Sequence, residues 1–319
     1  MTERREAPTI AWNKPATVVD DMVTRFHEAE NAAVNLGVGV KYFSPADRAQ
    51  LNAIADKGGA PALQMATSIV EAADSAGVDP LAVMAEIAGG GAPLLATSGA
   101  LIAQGVPVEV ASKIMAGKAV MGTELVKDKL PKQMTQASAQ RKVLGDRLSR
   151  MPPAAIDALT RSADAYYAAE LVANGGQLDG QEGPAYERAM RAVMGEWTDE
   201  RGRTFGGQVS MRNGSAMAPP WIEKNRFEGL IAGLTKDEVL RSAARDQLYP
   251  TLGIFKGREA TIADYRSARL IDAGAGRYYV APDPNREDLL IATRNGQPMV
   301  LDLNAIRSDL QKRHPQAVR

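Results

Sequence analysis

The chain contains two histidines, His27 and His314, and no cysteine. Without thiols there is no disulfide framework, thiolate zinc site, iron–sulfur cluster or cysteine nucleophile. A Ser-His-Asp triad or a multi-histidine metal site would have to grow from one histidine inside a helical segment and one in a polar tail. We therefore assign no catalytic, metal or cofactor-binding residue, and expect no cofactor and no small-molecule substrate. Gly274-Ala-Gly276 before Arg277 resembles a phosphate loop but leads into a strand, where backbone amides do not converge on an anion, so it reads as a turn. The neighbouring acids Asp20 and Asp21, and Glu28 and Glu30, are the residue type that glycoside hydrolysis needs in pairs across a cleft. On amphipathic helices they read as solvated faces.

Charge is the more informative feature. Lys plus Arg and Asp plus Glu each number 38, which leaves no net charge to draw the whole chain to nucleic acid. From Lys113 to Arg150, however, nine basic residues stand against three acids, and from Met151 to Glu200 nine acids stand against three arginines. Lys127, Lys129, Lys132, Arg141, Lys142, Arg147 and Arg150 are candidates for phosphate contact, although the run has no interleaved aromatics to stack bases. The acidic run that follows is an alternative partner, in the same chain or in a second copy. Trp221, Tyr166 and Tyr167 are candidate interface anchors, since aromatics offer large contact area with few rotors.

These side chains must be positioned by helices. At 319 residues, with 45% hydrophobic but only 5% aromatic residues, the composition suits close helix packing. Val18, Val19, Met22, Phe26, Ala29 and Ala33 fall at helical spacing, and Ser44-Pro45-Ala46-Asp47 opens a second helix with a cap, a first-turn proline and an acid. Gly58-Gly59-Ala60-Pro61 recurs as Gly90-Gly91-Ala92-Pro93, each followed by an apolar run and a Gly-Val with proline close behind, which suggests a duplicated helix-turn-helix. Ile87 to Val108 lacks charge but is broken by glycine and proline, so it reads as a buried helical hairpin. Pro152-Pro153 precedes an amphipathic helix over 154–173. A glycine-rich connector then runs to Gly214, and Pro219-Pro220-Trp221 opens a helix through Leu234. Thr235 to Glu238 and Thr261 to Asp264 read as capping boxes. Residues 277–281, 289–293 and 298–302 read as three short strands, with Asn295-Gly296 as a hairpin turn.

The expected fold is thus mainly α: helical hairpins or a bundle, followed by a small C-terminal antiparallel β meander. Residues 1–150 are expected to form an alanine-rich helical domain and residues 151–319 a second region ending in the meander. Because a lone meander is marginal and the two charged runs are complementary, a homo-oligomer is expected. The N-terminal Met1-Thr-Glu-Arg-Arg-Glu lacks the order of a secretion signal.

Ala163-Asp-Ala-Tyr-Tyr-Ala-Ala169, Tyr186-Glu-Arg-Ala189, Pro219-Pro-Trp221 with Phe227-Glu228, Thr261-Ile-Ala-Asp264 with Ala268-Arg-Leu270, Gly276-Arg-Tyr-Tyr-Val280 and Asn295 to Leu303 follow one another in a fixed order. In this the region from about 150 to 303 resembles the C-terminal part of the large internal or ejection-type virion proteins of tailed phages and prophages. Many of these carry a lytic transglycosylase module, whose catalytic glutamate directly precedes a serine. No glutamate here does. The resemblance implies a structural virion protein, inside the head or at the portal or tail, acting in genome delivery and passing to the host periplasm or cytoplasm. Its implied partners are portal or tail proteins, with DNA or the host envelope as further contacts. The alternatives are a peptidoglycan-cleaving enzyme using Glu71 or Glu86, and an assembly scaffold or tail protein.

Overall fold

A computed structural model describes residues 10, 12, 17–149, 151–178, 182–243, 251–274 and 276–319. The chain is mainly helical, with small antiparallel sheets towards its C-terminus, and divides into two compact units, Met1–Met194 and Gly195–Arg319. The division expected after Arg150 falls inside the first unit. Pro153 opens a helix that packs on the helices before it, so the two prolines start an element of the same core.

Unit 1 contains nine α-helices among its described residues: α1 (Val18–Leu36), α2 (Pro45–Lys57), α3 (Gly59–Ala76), α4 (Pro80–Gly89), α5 (Pro93–Ala103), α6 (Val108–Val120), α7 (Gln133–Leu144), α8 (Pro153–Ala173) and α9 (Glu182–Val193). The capping box at Ser44 forms, with the Asp47 amide donating to Ser44 Oγ at 3.2 Å and the Ser44 amide to Asp47 Oδ2 at 3.0 Å. A helical hairpin forms, but from α4 and α5 over 80–103; the uncharged stretch 87–108 holds only the end of α4, all of α5 and the turn before α6. Both Gly-Gly-Ala-Pro stretches stand at helix starts, but their surroundings differ: Gly58 faces the α6 backbone at Met115 and Ala119, Gly91 the Asn52 side chain. Each stretch is followed by a helix, a Gly-Val turn and a second helix, α3 with α4 and α5 with α6.

Three helices end alike. Gly37, Gly77 and Gly105 take positive φ of 63°, 68° and 89°, and the valine after each donates its amide back to Ala33, Ala73 or Leu101 at 3.2, 2.9 and 3.0 Å. Such a motif normally tucks the trailing apolar residue onto its helix. Val78 and Val106 are buried accordingly, whereas Val38 is 58% exposed.

The tightest packing in unit 1 is between α6 and α8. Gly117 lies so close to Ala165 that a Cβ there would overlap the Ala165 carbonyl. Around this crossing Ile114, Met115, Ala163 and Ala168 are fully buried.

Unit 2 holds three sheets and four short helices among its described residues. β1 (Trp197–Thr198), β2 (Thr204–Met211) and β3 (Gly214–Glu223) form an antiparallel sheet in that order. β4 (Ile254–Phe255) pairs with β5 (Arg258–Glu259), and β6 (Arg269–Gly274), β7 (Arg277–Ala281) and β8 (Val300–Asp302) form the meander. The helices are α10 (Phe227–Ala232), α11 (Lys236–Ala243), α12 (Ile262–Arg266) and α13 (Arg307–Arg313). Both predicted capping boxes form, at Thr235–Glu238 and Thr261–Asp264.

Four expectations are corrected here. The glycine-rich connector contains β2, where Gly206 and Gly207 take positive φ at a bulge that shifts the register between Phe205 and Gly207. Pro219-Pro220-Trp221 lies within β3, which runs on to Glu223, and opens no helix. The two prolines lie opposite that bulge, where a missing N–H costs no ladder bond. Residues 289–293 form no strand of the meander. Ala292 makes isolated bridges to Ile254 and Pro298, and β6 supplies the third strand. The meander is also not marginal, because Tyr278, Val280 and Leu301 share one core with Trp221, Phe227 and Leu310.

Because α6 meets α8 backbone to backbone, Gly117→Ala is expected to cost about 3 kcal/mol, the upper range for overpacking a closed core. Gly89→Ala, at a helix end with no neighbouring atom in the way, should be neutral or slightly stabilising. Urea unfolding of the two variants checks both; equal midpoints would contradict the packing described.

Candidate functional site

The basic run sits on α6, α7 and the turns between them, and much of it is already spent. Lys113 binds Glu170, and its ammonium lies 5.1 Å from the Tyr166 ring centre. Lys127 pairs with Glu124 at 2.6 Å, Lys129 donates to the Gly176 carbonyl at 2.9 Å, and Lys142 binds Glu187 at 2.5 Å. Glu170 and Glu187 belong to the acidic run, so the opposed charges meet within one chain and give no reason for a second copy. Arg147 is half-buried beside the end of α7, and Arg150 lies outside the described residues. Lys132 and Arg141 remain: both are exposed and neither forms an ion pair among the described residues.

The aromatic anchors go inward. Trp221 is 1% exposed, donates from Nε1 to Asn304 Oδ1 at 3.0 Å and carries the Arg307 guanidinium over its ring. Tyr167 is buried edge-on against Tyr186, and Tyr166 is partly buried beneath Lys113. A side chain this deep has no face left for a partner, which corrects the expectation for Trp221 and Tyr167.

Two polar clusters lie inside the bundle. Burial pulls the Lys113 ammonium down, but its bonds to Glu170 and Tyr166 outweigh this and leave its pKa above the ordinary lysine value. Asp164 on α8 accepts from Tyr186 Oη at 2.8 Å and from Gln136 Nε2 at 3.1 Å. Burial raises its carboxyl pKa despite these two bonds, and burial with the nearby carboxylate raises the Tyr186 phenol. Both clusters tie helices together.

The carboxylates considered for catalysis do structural work or face solvent. Glu86 Oε2 accepts from the Tyr42 amide at 2.8 Å, while Oε1 accepts from the Phe43 amide at 3.2 Å and from Arg48 at 2.8 Å. Glu71 is exposed on α3. Among the described residues no group of three or more His, Asp or Glu is placed to hold a metal ion.

Unit 2 has two concavities that sequence reasoning missed, because their linings come from distant segments. One, of about 500 Å³, is lined by Arg226, Leu230 and His314, whose Nε2 is buried without a hydrogen-bond partner among the described residues. The other, of about 420 Å³, lies between Arg212, Glu228 and Arg266. Both clefts have mixed linings in which apolar surface exceeds polar.

The surface tells more. Seven large apolar side chains are exposed among the described residues, and all belong to unit 1. The four most exposed are Met134 at 86%, Val34 at 80%, Leu36 at 72% and Val38 at 58%. Scattered single residues of this kind are ordinary; Val34 and Leu36, two residues apart, point to opposite sides of the end of α1, and Val38 follows its Gly37 cap. None of these four is aromatic, and no periodic signal sets them apart in the sequence.

No helix among the described residues is long and apolar enough to cross a membrane. The chain matches no protein-family model, no curated protein and no solved structure.

The raised Asp164 pKa has a defined sign. A carboxyl group higher in the folded than in the unfolded state stabilises fully below the unfolded value near 3.8, and this contribution is lost as pH rises through the folded value. Asp164→Asn keeps an acceptor for Tyr186 and cannot ionise. The variant is expected to gain stability on the wild type between pH 4 and neutrality, and unfolding curves across that range would show a constant difference if the reading were wrong.

Proposed function

We propose that the chain is a structural protein of a tailed-phage or prophage particle, of the internal or ejection type, acting in genome delivery through assembly. The setting rests on the ordered blocks between Ala163 and Leu303 that resemble such proteins. The role rests on one observation above all, the concentration of exposed apolar side chains on the helical unit. That is the composition of a surface meant to be covered. The polar groups of the bundle point the same way: Asp164 and the Lys113–Glu170 pair tie helix to helix, and Glu86 accepts from two backbone amides and an arginine.

In this reading the partners are further virion proteins at the portal or tail, with DNA or the host envelope met during delivery. Lys132 and Arg141, the basic residues free of ion pairs, are the residues of the basic run best placed for outside contacts.

Mass spectrometry of purified particles before and after triggered ejection is the deciding measurement. The chain is expected in full particles and lost from emptied ones. Its presence only in assembly intermediates would make it a scaffold, and its retention on emptied particles a fixed part of the shell or tail. Purified protein is expected to leave peptidoglycan suspensions turbid; clearing that Glu86→Gln or Glu71→Gln abolishes would replace this proposal with an enzymatic one.

A further inference from the structure

The cleft of about 500 Å³ in unit 2 lies between two walls that the fold itself fixes. One is the start of α10, where Arg226, Gly229 and Leu230 stand at three- and four-residue spacing and so share a side. The other is the segment 314–317 after α13. Backbone bonds hold that segment in place: the His314 amide donates to Leu310 at 2.8 Å, the Ala317 amide to His314 at 3.0 Å and the Glu223 amide to Ala317 at 2.9 Å, while Val318 bridges to Ile222. Arg203 Nη1 adds a bond to the Gln316 carbonyl at 3.2 Å. The walls are therefore formed without a ligand, and the volume falls in the range of small-molecule sites, about 300–1,000 Å³.

The charge of the lining is one-sided. Arg226 is exposed and forms no hydrogen bond or ion pair among the described residues. His314 Nε2 is buried without a partner, so the cost of taking a ring nitrogen out of water is left uncompensated. Neither Glu223 nor Glu228, the acids that flank Arg226 in the chain, is among the lining residues. Glu228 instead accepts from the Arg212 amide at 2.6 Å and lines the other concavity. Leu230 and Ala317, 3% and 6% exposed, supply an apolar floor beside Pro315.

We propose that this cleft binds a carboxylate that carries an apolar body. The Arg226 guanidinium offers the two-pronged fork that matches the paired oxygens of a carboxylate, the His314 imidazole offers a further donor, and the floor receives the apolar part. One guanidinium above an apolar floor suits a single negative charge better than the nearly double charge of a phosphate monoester. The site belongs to unit 2 and does not depend on the virion setting proposed above.

An amide-resolved NMR titration of the full chain with 3-phenylpropionate tests this. Saturable shifts are expected at residues 226–230 and 314–317, with a Kd of about 1 mM or tighter for a ligand of this size. 3-Phenylpropionamide, which has the same shape and no charge, should bind at least about tenfold more weakly, and Arg226→Gln and His314→Phe should each weaken the acid by a similar factor. Gly229 provides a variant that keeps both donors. Its backbone needs no glycine and a Cβ built there meets no atom within 4 Å, so Gly229→Met should fill the cleft and abolish binding while thermal unfolding stays close to the wild type. A free acid and the carboxyl end of a protein share this chemistry, and an acetylated tripeptide ending in leucine separates them: tighter binding than 3-phenylpropionate assigns a chain end, weaker binding a small acid, and either supports the site. Absence of saturable shifts in the millimolar range, equal binding of acid and amide, a Gly229→Met variant that binds like the wild type, or inorganic phosphate bound more tightly than the acid overturns the proposal. None of these outcomes touches the particle measurement, so the site can fail while the virion assignment stands.

Discussion

The crossing of α6 and α8 at Gly117 and Ala165 is the contact on which unit 1 depends. Two backbones approach so closely that no side chain fits between them. That distance brings Lys113 of α6 within reach of Glu170 and Tyr166 of α8, and so sets where the basic run meets the acidic one. It also leaves the remaining faces of α8 to hold α9 through Tyr186 and α7 through Gln136, with Asp164 as the shared acceptor. A bundle poor in aromatics gains most from such proximity, since dispersion between small side chains decays steeply with separation.

Unit 2 is held by a different device. Its strands are short, and the core is made by aromatics whose polar tips are satisfied: Trp197 donates to the Pro220 carbonyl, Trp221 to Asn304 and Tyr265 to the Leu252 carbonyl. Glu238, 1% exposed, caps α11 and receives a two-pronged bond from Arg313 at 2.8 and 2.7 Å, which ties α13 to α11. On the surface Asp264, held down to about 2 chiefly by its bond to Arg258, caps α12 in the same manner. Charges in this unit are arranged in local pairs, which accounts for a formally neutral chain presenting no broad field.

Function in such a protein resides in what stays uncovered. Buried carboxylates and phenols with shifted pKa values often mark active sites, but the raised values of Asp164 and Tyr186 follow first from burial, and the two groups are bonded to each other. Among the described residues the most uncovered apolar side chains are Met134, Val34, Leu36 and Val38, all of the helical unit.

Local chemistry was legible in the sequence wherever it depends on neighbours in the chain. The caps at Ser44, Thr235 and Thr261, the prolines opening α2, α4, α5 and α8, the glycine stops, and the succession of helices before a small meander all follow from bonds spanning three to six residues. Where position depends on a distant segment, the sequence was silent or misleading. Pro219-Pro220-Trp221 looks like a helix start and lies inside a strand, because the bulge that tolerates two prolines is made by Gly206 and Gly207 on another strand. Tyr167 and Trp221 carry the residue types of interface anchors, and only packing shows that they are core. The two charged runs were legible as complementary. That they neutralise each other within one chain, leaving Lys132 and Arg141 beside an exposed methionine, was decided by the α6–α8 crossing, since a charge is free or paired according to what tertiary contact places within about 4 Å of it.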